Sequence, residues 1–187
     1  MYAAQEIEAQ NVTHVRGKTV EAKKDGSYYV GNTDYDVRRF SYDNGDLTSV
    51  TLDAHLRPGV GITPEDVAAV KRSSYQGVDQ IMNRDAEGKR HTLPDGSKLQ
   101  VEPIFHDDAD DAAHVVDVVQ PFDARGKRLP SNQARWALPD VLNPAGAAHE
   151  LVGHGMGLRD RYVDPETWFR DHPDAPGVTH DGNFMET

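Results

Sequence analysis

Asn143-Pro144-Ala145-Gly146-Ala147-Ala148-His149-Glu150-Leu151-Val152-Gly153-His154-Gly155-Met156-Gly157-Leu158-Arg159-Asp160 is the stretch on which the reading of this chain turns. Asn143 suits a helix N-cap, because its side-chain oxygen can accept a backbone N–H that the first turn leaves exposed. Pro144 suits the first helical position, where no N–H is needed. The pattern predicts a helix over 143–155, stopped by Gly155 and Gly157. Two imidazoles and a carboxylate sit together near its end.

Those side chains suit a metal without thiolates. Zinc takes imidazole nitrogen and carboxylate oxygen, and a catalytic site uses three protein ligands with one position left for water. Two histidines on one helix supply two ligands, and a glutamate directly after the first can act as general base toward water that the metal acidifies. The spacing is irregular, however. His149 and His154 are five apart, which on an α-helix sets their side chains about 140° from one another, against about 40° for a four-residue step. A one-residue bulge of the π type restores a common face, and Gly153 is the expected place for it.

Working outward, the 187 residues allow one domain, or one domain with a small extension. A chain of that length buries roughly two thirds of its unfolded surface. Mean hydropathy is −0.69, polar for a globular chain. The formal charge of −11 comes from 31 acids and 20 bases. The basic clusters are short (Lys23-Lys24, Arg38-Arg39, Lys71-Arg72), which argues against nucleic acid and anionic membrane as partners. With no cysteine, disulfides, thiolate zinc sites and cysteine nucleophiles are excluded. No apolar run is long enough for a membrane span, and no signal-peptide pattern opens the sequence.

The elements follow from local signals. Hairpins are expected at Thr19–Ala22 with Tyr28–Val30 across Asp25-Gly26, and at Val37–Tyr42 with Leu47–Leu52 across Asn44-Gly45. Thr63-Pro64-Glu65-Asp66 opens a helix running to Asn83. Leu99–Phe105 and His114–Val119 read as strands, with a short third at Arg135–Leu138. The acidic run Asp107–Asp111 reads as a solvated loop. The expected boundary lies near 60, dividing a β-rich extension (1–60) from an α+β catalytic part (61–187).

The stretch resembles known metallopeptidase motifs. His149-Glu150-x-x-Gly153-His154 is similar to the motif of the dipeptidyl peptidase III family. His154-x-x-Gly157-x-x-Asp160 resembles the downstream half of the metzincin motif, which implies Asp160 as third ligand. His180-Asp181-Gly182-Asn183-Phe184-Met185 resembles the methionine turn beneath a metzincin zinc, with Met185 as its floor. Over about residues 60–187 the layout, including Leu158-Arg159-Asp160-Arg161-Tyr162, resembles the metallopeptidase domains at the C-termini of bacterial polymorphic toxins; Arg161 stands where those domains carry glutamate. Arg39-Phe40-Ser41-Tyr42-Asp43-Asn44-Gly45-Asp46 resembles one YD repeat of the Rhs shell.

The expectation is an α+β, zincin-like (metzincin-like) fold holding one zinc per chain through His149, His154 and Asp160, with His180 and His172 competing for the third place. Glu150 is the general base, and Tyr162 a candidate donor to an oxyanion. The expected activity is zinc-dependent hydrolysis of peptide bonds in a protein target, by the effector domain of a bacterial toxin delivered without a classical signal peptide. The toxin resemblance implies a cognate immunity protein. The rival expectations are a non-catalytic zinc-binding module and a zinc amidase acting on a non-protein amide.

Overall fold

The computed structural model describes residues 11–22 and 28–158. Asp160, Tyr162, His172, His180 and Met185 lie outside the described residues, as does the Asp25-Gly26 turn.

The fold is α+β with one mixed sheet. Its strands are β1 (Asn11–Ala22), β2 (Tyr28–Phe40), β3 (Leu47–Pro58), β4 (Lys98–Phe105), β5 (His114–Val119) and β6 (Arg135–Ala137). The strands β1, β2 and β3 run antiparallel in succession. β3 then pairs in parallel with β4 through Leu47–Ala54 and with β5 through Ala54–Pro58, and β5 pairs in parallel with β6. One edge of β3 is thus shared: β2 occupies it as far as Thr51, and β5 takes over from Ala54.

β3 is therefore the middle of the sheet. Val50, Leu52, Ala54 and Leu56 point into the core, where they meet Val101, Val116, Val118, Trp136 and Val152. The alternation is the period of two that a strand imposes. The boundary expected near 60 falls between β3 and the helix that follows it, two elements that feed one hydrophobic core. The outer edge of β4 is blunted. Leu99 N–H donates to His91 O and Val101 N–H to Asn83 Oδ1, while Pro103 has no N–H to offer.

Helix α1 (Pro64–Gly77) continues into a π-helical turn, Val78–Met82. Its start is a reciprocal capping box: Asp66 N–H donates to Thr63 Oγ1 at 3.1 Å, and Thr63 N–H donates to Asp66 Oδ2 at 2.9 Å. Two short helices follow β6, α2 (Leu138–Val141) and α3 (Pro144–Ala148), and α3 runs on without a break into a second π-helical segment, His149–His154. Asn143 Oδ1 caps α3 by accepting from Ala145 N–H at 3.1 Å. Among the described residues no helix is long and apolar enough to cross a membrane.

α1 positions α3 through missing side-chain atoms. A Cβ on Gly77 would stand 1.9 Å from Pro144 O, so the two helix backbones touch there. A Cβ on Gly146 would stand 2.2 Å from Asp140 O, which fixes α3 against α2 in the same way.

Two outcomes are expected in chemical denaturation. Gly77→Ala loses about 3 kcal/mol through overpacking, while Gly17→Ala, whose added Cβ has Thr33 Cβ as its neighbour at 3.9 Å, stays within about 0.5 kcal/mol of wild type. The Asp66 carboxyl is held below the ordinary carboxylate range by Thr63's backbone N–H, then by its hydroxyl. A depressed folded pKa stabilises above the unfolded pKa and ceases to do so as pH falls through the folded one. Asp66→Ala therefore lowers the midpoint at neutral pH, and a denaturation series toward acid should show the deficit closing.

Candidate metal centre

The five-residue interval between the histidines is met by a π ladder, in which each turn closes one residue later than in an α-helix. The π segment spans His149–His154 between α-helical residues, the single-turn bulge that the spacing calls for, with Gly153 inside it. Gly153 takes no positive φ and lies buried in the ladder. With the wider turn the two imidazoles meet, ring centroids 5.0 Å apart and planes at 83°.

Glu150 joins them. One ligand atom from each of His149, Glu150 and His154 lies within 4.8 Å of the others. Glu150 Oε2 is 3.9 Å from His154 Nε2. His149 is 3% exposed, so its ring faces the interior of the fold and not bulk water. His154 Nδ1–H donates to Leu158 O at 3.2 Å. A carbonyl can only accept, so Nδ1 carries a proton and Nε2 is the nitrogen that faces the cluster. That is the arrangement of a ligating imidazole whose second nitrogen is anchored by the backbone. Two imidazoles and a carboxylate converging in a mostly buried site are a donor set that a divalent metal ion accepts.

The end of the helix is built as tightly as its start. Gly157 has φ +79°, its N–H donates to His154 O at 2.9 Å, and Leu158 N–H reaches back to Gly153 O at 2.8 Å. This is a Schellman cap with glycine at the left-handed position. It turns the chain back immediately after His154. A Cβ on Gly155 would stand 2.7 Å from Leu52 Cδ2, so the helix end lies directly against the central strand.

Sequence reasoning missed the groups around this end. Gln133 Nε2 donates to His154 O at 2.7 Å and to Asn32 O, while Asn32 N–H donates to Gln133 Oε1 at 2.6 Å. His114, expected as a structural or surface residue, is buried, and its Nε2 donates to Asp34 O at 2.9 Å. Asn32, Ala113–Val115, Gln133 and Ala134 line an open slot where β2 leaves the sheet and β5 enters. Trp136 is a core residue, 1% exposed.

No family model, curated protein or solved structure matches the chain.

Elemental analysis of purified protein should find about one zinc per chain, the stoichiometry of a mononuclear site. His149→Ala and His154→Ala should each reduce that content to near zero while the circular dichroism spectrum keeps its wild-type shape. Full zinc occupancy in either variant would remove that histidine from the site.

Proposed function

We propose that this chain is a zinc-dependent metalloendopeptidase of zincin-like design. The observation that carries the proposal is the convergence of His149, Glu150 and His154 within one π-helical turn. A metal-binding pair of histidines with a carboxylate next to the first is what hydrolysis of an amide requires of a single helix.

His149 and His154 would hold the metal, and Asp160 would complete the set. Zinc, when bound there, supplies Lewis acidity toward a carbonyl oxygen and toward water. Glu150 takes the proton of the attacking water on its carboxylate and later delivers it to the leaving amine. The low exposure of the three side chains keeps bulk water from competing for their polar atoms. Tyr162 is proposed to donate to the developing oxyanion, and Met185 to form the floor of the site. A peptide substrate offers backbone groups to a strand edge. The outer edge of β4 is already occupied along Leu99–Pro103, whereas the slot beside Ala113–Val115 is open and reaches His154 through Gln133. The substrate is therefore proposed to approach there.

The toxin resemblance extends the proposal to its setting: the effector domain of a secreted bacterial toxin, acting on a protein in the target cell and neutralised by a dedicated immunity protein. Its support is the motif order along residues 60–187, from the capped helix at Thr63 to the terminal methionine.

A second reading shares the same observation. Glu150 belongs to the group of converging ligand atoms, so it can serve as a ligand in a non-catalytic zinc module. Glu150→Gln separates the two. The metallopeptidase reading expects that variant to keep its zinc and to lose between about 100-fold and 10,000-fold of kcat/KM on an unstructured protein such as casein. Loss of the zinc itself would make Glu150 a ligand and favour the binding module.

A further inference from the structure

We propose that Gln133 is a positioning residue for His154, and that its amide transmits the placement of the N-terminal β1–β2 ribbon to the metal ligand; the proposal rests on the metal reading given above. The side chain makes three hydrogen bonds, and only one orientation of the amide satisfies them all. Two of the three partners, Asn32 O and His154 O, are carbonyls, so Nε2 must face both. The third, Asn32 N–H, is a donor, so Oε1 must face it. The amide thus pairs with Asn32 as a neighbouring strand residue would, and spends its remaining N–H on the end of the histidine helix.

The consequence for His154 is geometric. Its carbonyl accepts from Gly157 N–H at 2.9 Å and from Gln133 Nε2 at 2.7 Å, which uses both lone pairs of that oxygen. Its ring is bonded through Nδ1 to Leu158 O. Peptide plane and imidazole are therefore both fixed, the first by Gln133 and the second by the cap. A π-helical turn is a rare conformation that must be held by its surroundings, and Gln133 is the side chain that ties its end to a distant strand. Asp34, two residues along β2 from Asn32, is bonded through its carbonyl to His114. The ribbon is thus moored at two successive outward-facing carbonyls, beside the helix end that bears His154. Groups bonded directly to a ligating ring typically contribute about 10–100-fold to metal affinity, and Gln133, which acts through the ligand's backbone, is expected at the lower end of that range.

The test uses Co²⁺ alone as the probe, titrated into the full chain and followed by its d–d absorption, whose shape reports coordination geometry. Gln133→Met keeps the size of the side chain and removes all three bonds. Ser131→Ala is the control: it loosens the same loop by removing the Ser131 bonds to Asp140 Oδ2 and Ala137 N–H, without touching His154. The expected result is Co²⁺ binding at least about tenfold weaker in Gln133→Met, with a changed band shape, and wild-type affinity and band in Ser131→Ala. Should Gln133→Met not fold, Gln133→Glu decides, because it keeps the acceptor for Asn32 N–H and sets an oxygen against both carbonyls; it must show the same loss. Unchanged affinity and band in the folded Gln133 variant, beside a wild type that binds Co²⁺, overturns the positioning role and leaves the metal site standing. A wild type that takes up no Co²⁺ overturns both.

Discussion

An α-helix cannot bring two side chains five residues apart onto one face, and this constraint shapes everything around His149 and His154. The π ladder that resolves it is intrinsically weak, since its backbone bonds are poorly placed compared with an α-helix and the wide turn leaves the axis loosely filled. Such a segment persists only where its surroundings specify it. Here Leu151 and Val152 are buried in the core, Gly155 lies against Leu52, and Gly157 closes the end in a left-handed turn. The ladder is thus held along its length as well as at its C-terminal end.

The support reaches back to the sheet. α3 can lie where it does because Gly77 lets the backbone of α1 touch Pro144, and α1 in turn covers the face of β3 that carries Val50 and Leu52. β3 belongs to the first sixty residues. A boundary there separates two stretches of sequence, but the core runs across it: without β3 the strands β4 and β5 lose their common neighbour, and Gly155 loses the leucine it rests on. The β1–β2 ribbon adds its own link through Asn32 and Asp34. Residues that look like an appendage in the sequence are part of what shapes the site.

Local chemistry made much of this legible. Thr63 with Asp66, and Asn143 with Pro144, announce helix starts because a cap is a short-range hydrogen bond between neighbours in sequence. His114–Val119 reads as a strand, and its observed bounds match, with burial alternating along it. The odd spacing of His149 and His154 pointed to a π distortion because the angle follows from helix geometry alone. What was hidden is non-local. Gln133 meets Asn32 across 101 residues, and nothing in the local pattern sets it apart from any other loop glutamine.

The third ligand is where chain geometry bears on the proposed chemistry. Two ligands at about 2.0–2.2 Å from a tetrahedral ion stand about 3.3 Å from each other. The 3.9 Å between Glu150 Oε2 and His154 Nε2 is somewhat longer, and the three ligand atoms lie within 4.8 Å of one another, so an ion held among them would draw the side chains closer. A catalytic site that keeps Glu150 as its proposed base must take its third ligand from elsewhere. The turn at Gly157 sends the chain back toward the ring of His154, and Leu158 O already touches its Nδ1. Asp160 follows two residues later in the sequence. The two proposed roles, Asp160 as ligand and Glu150 as base, depend on one another, because a carboxylate bonded to the ion is not free to serve as base for the water beside it.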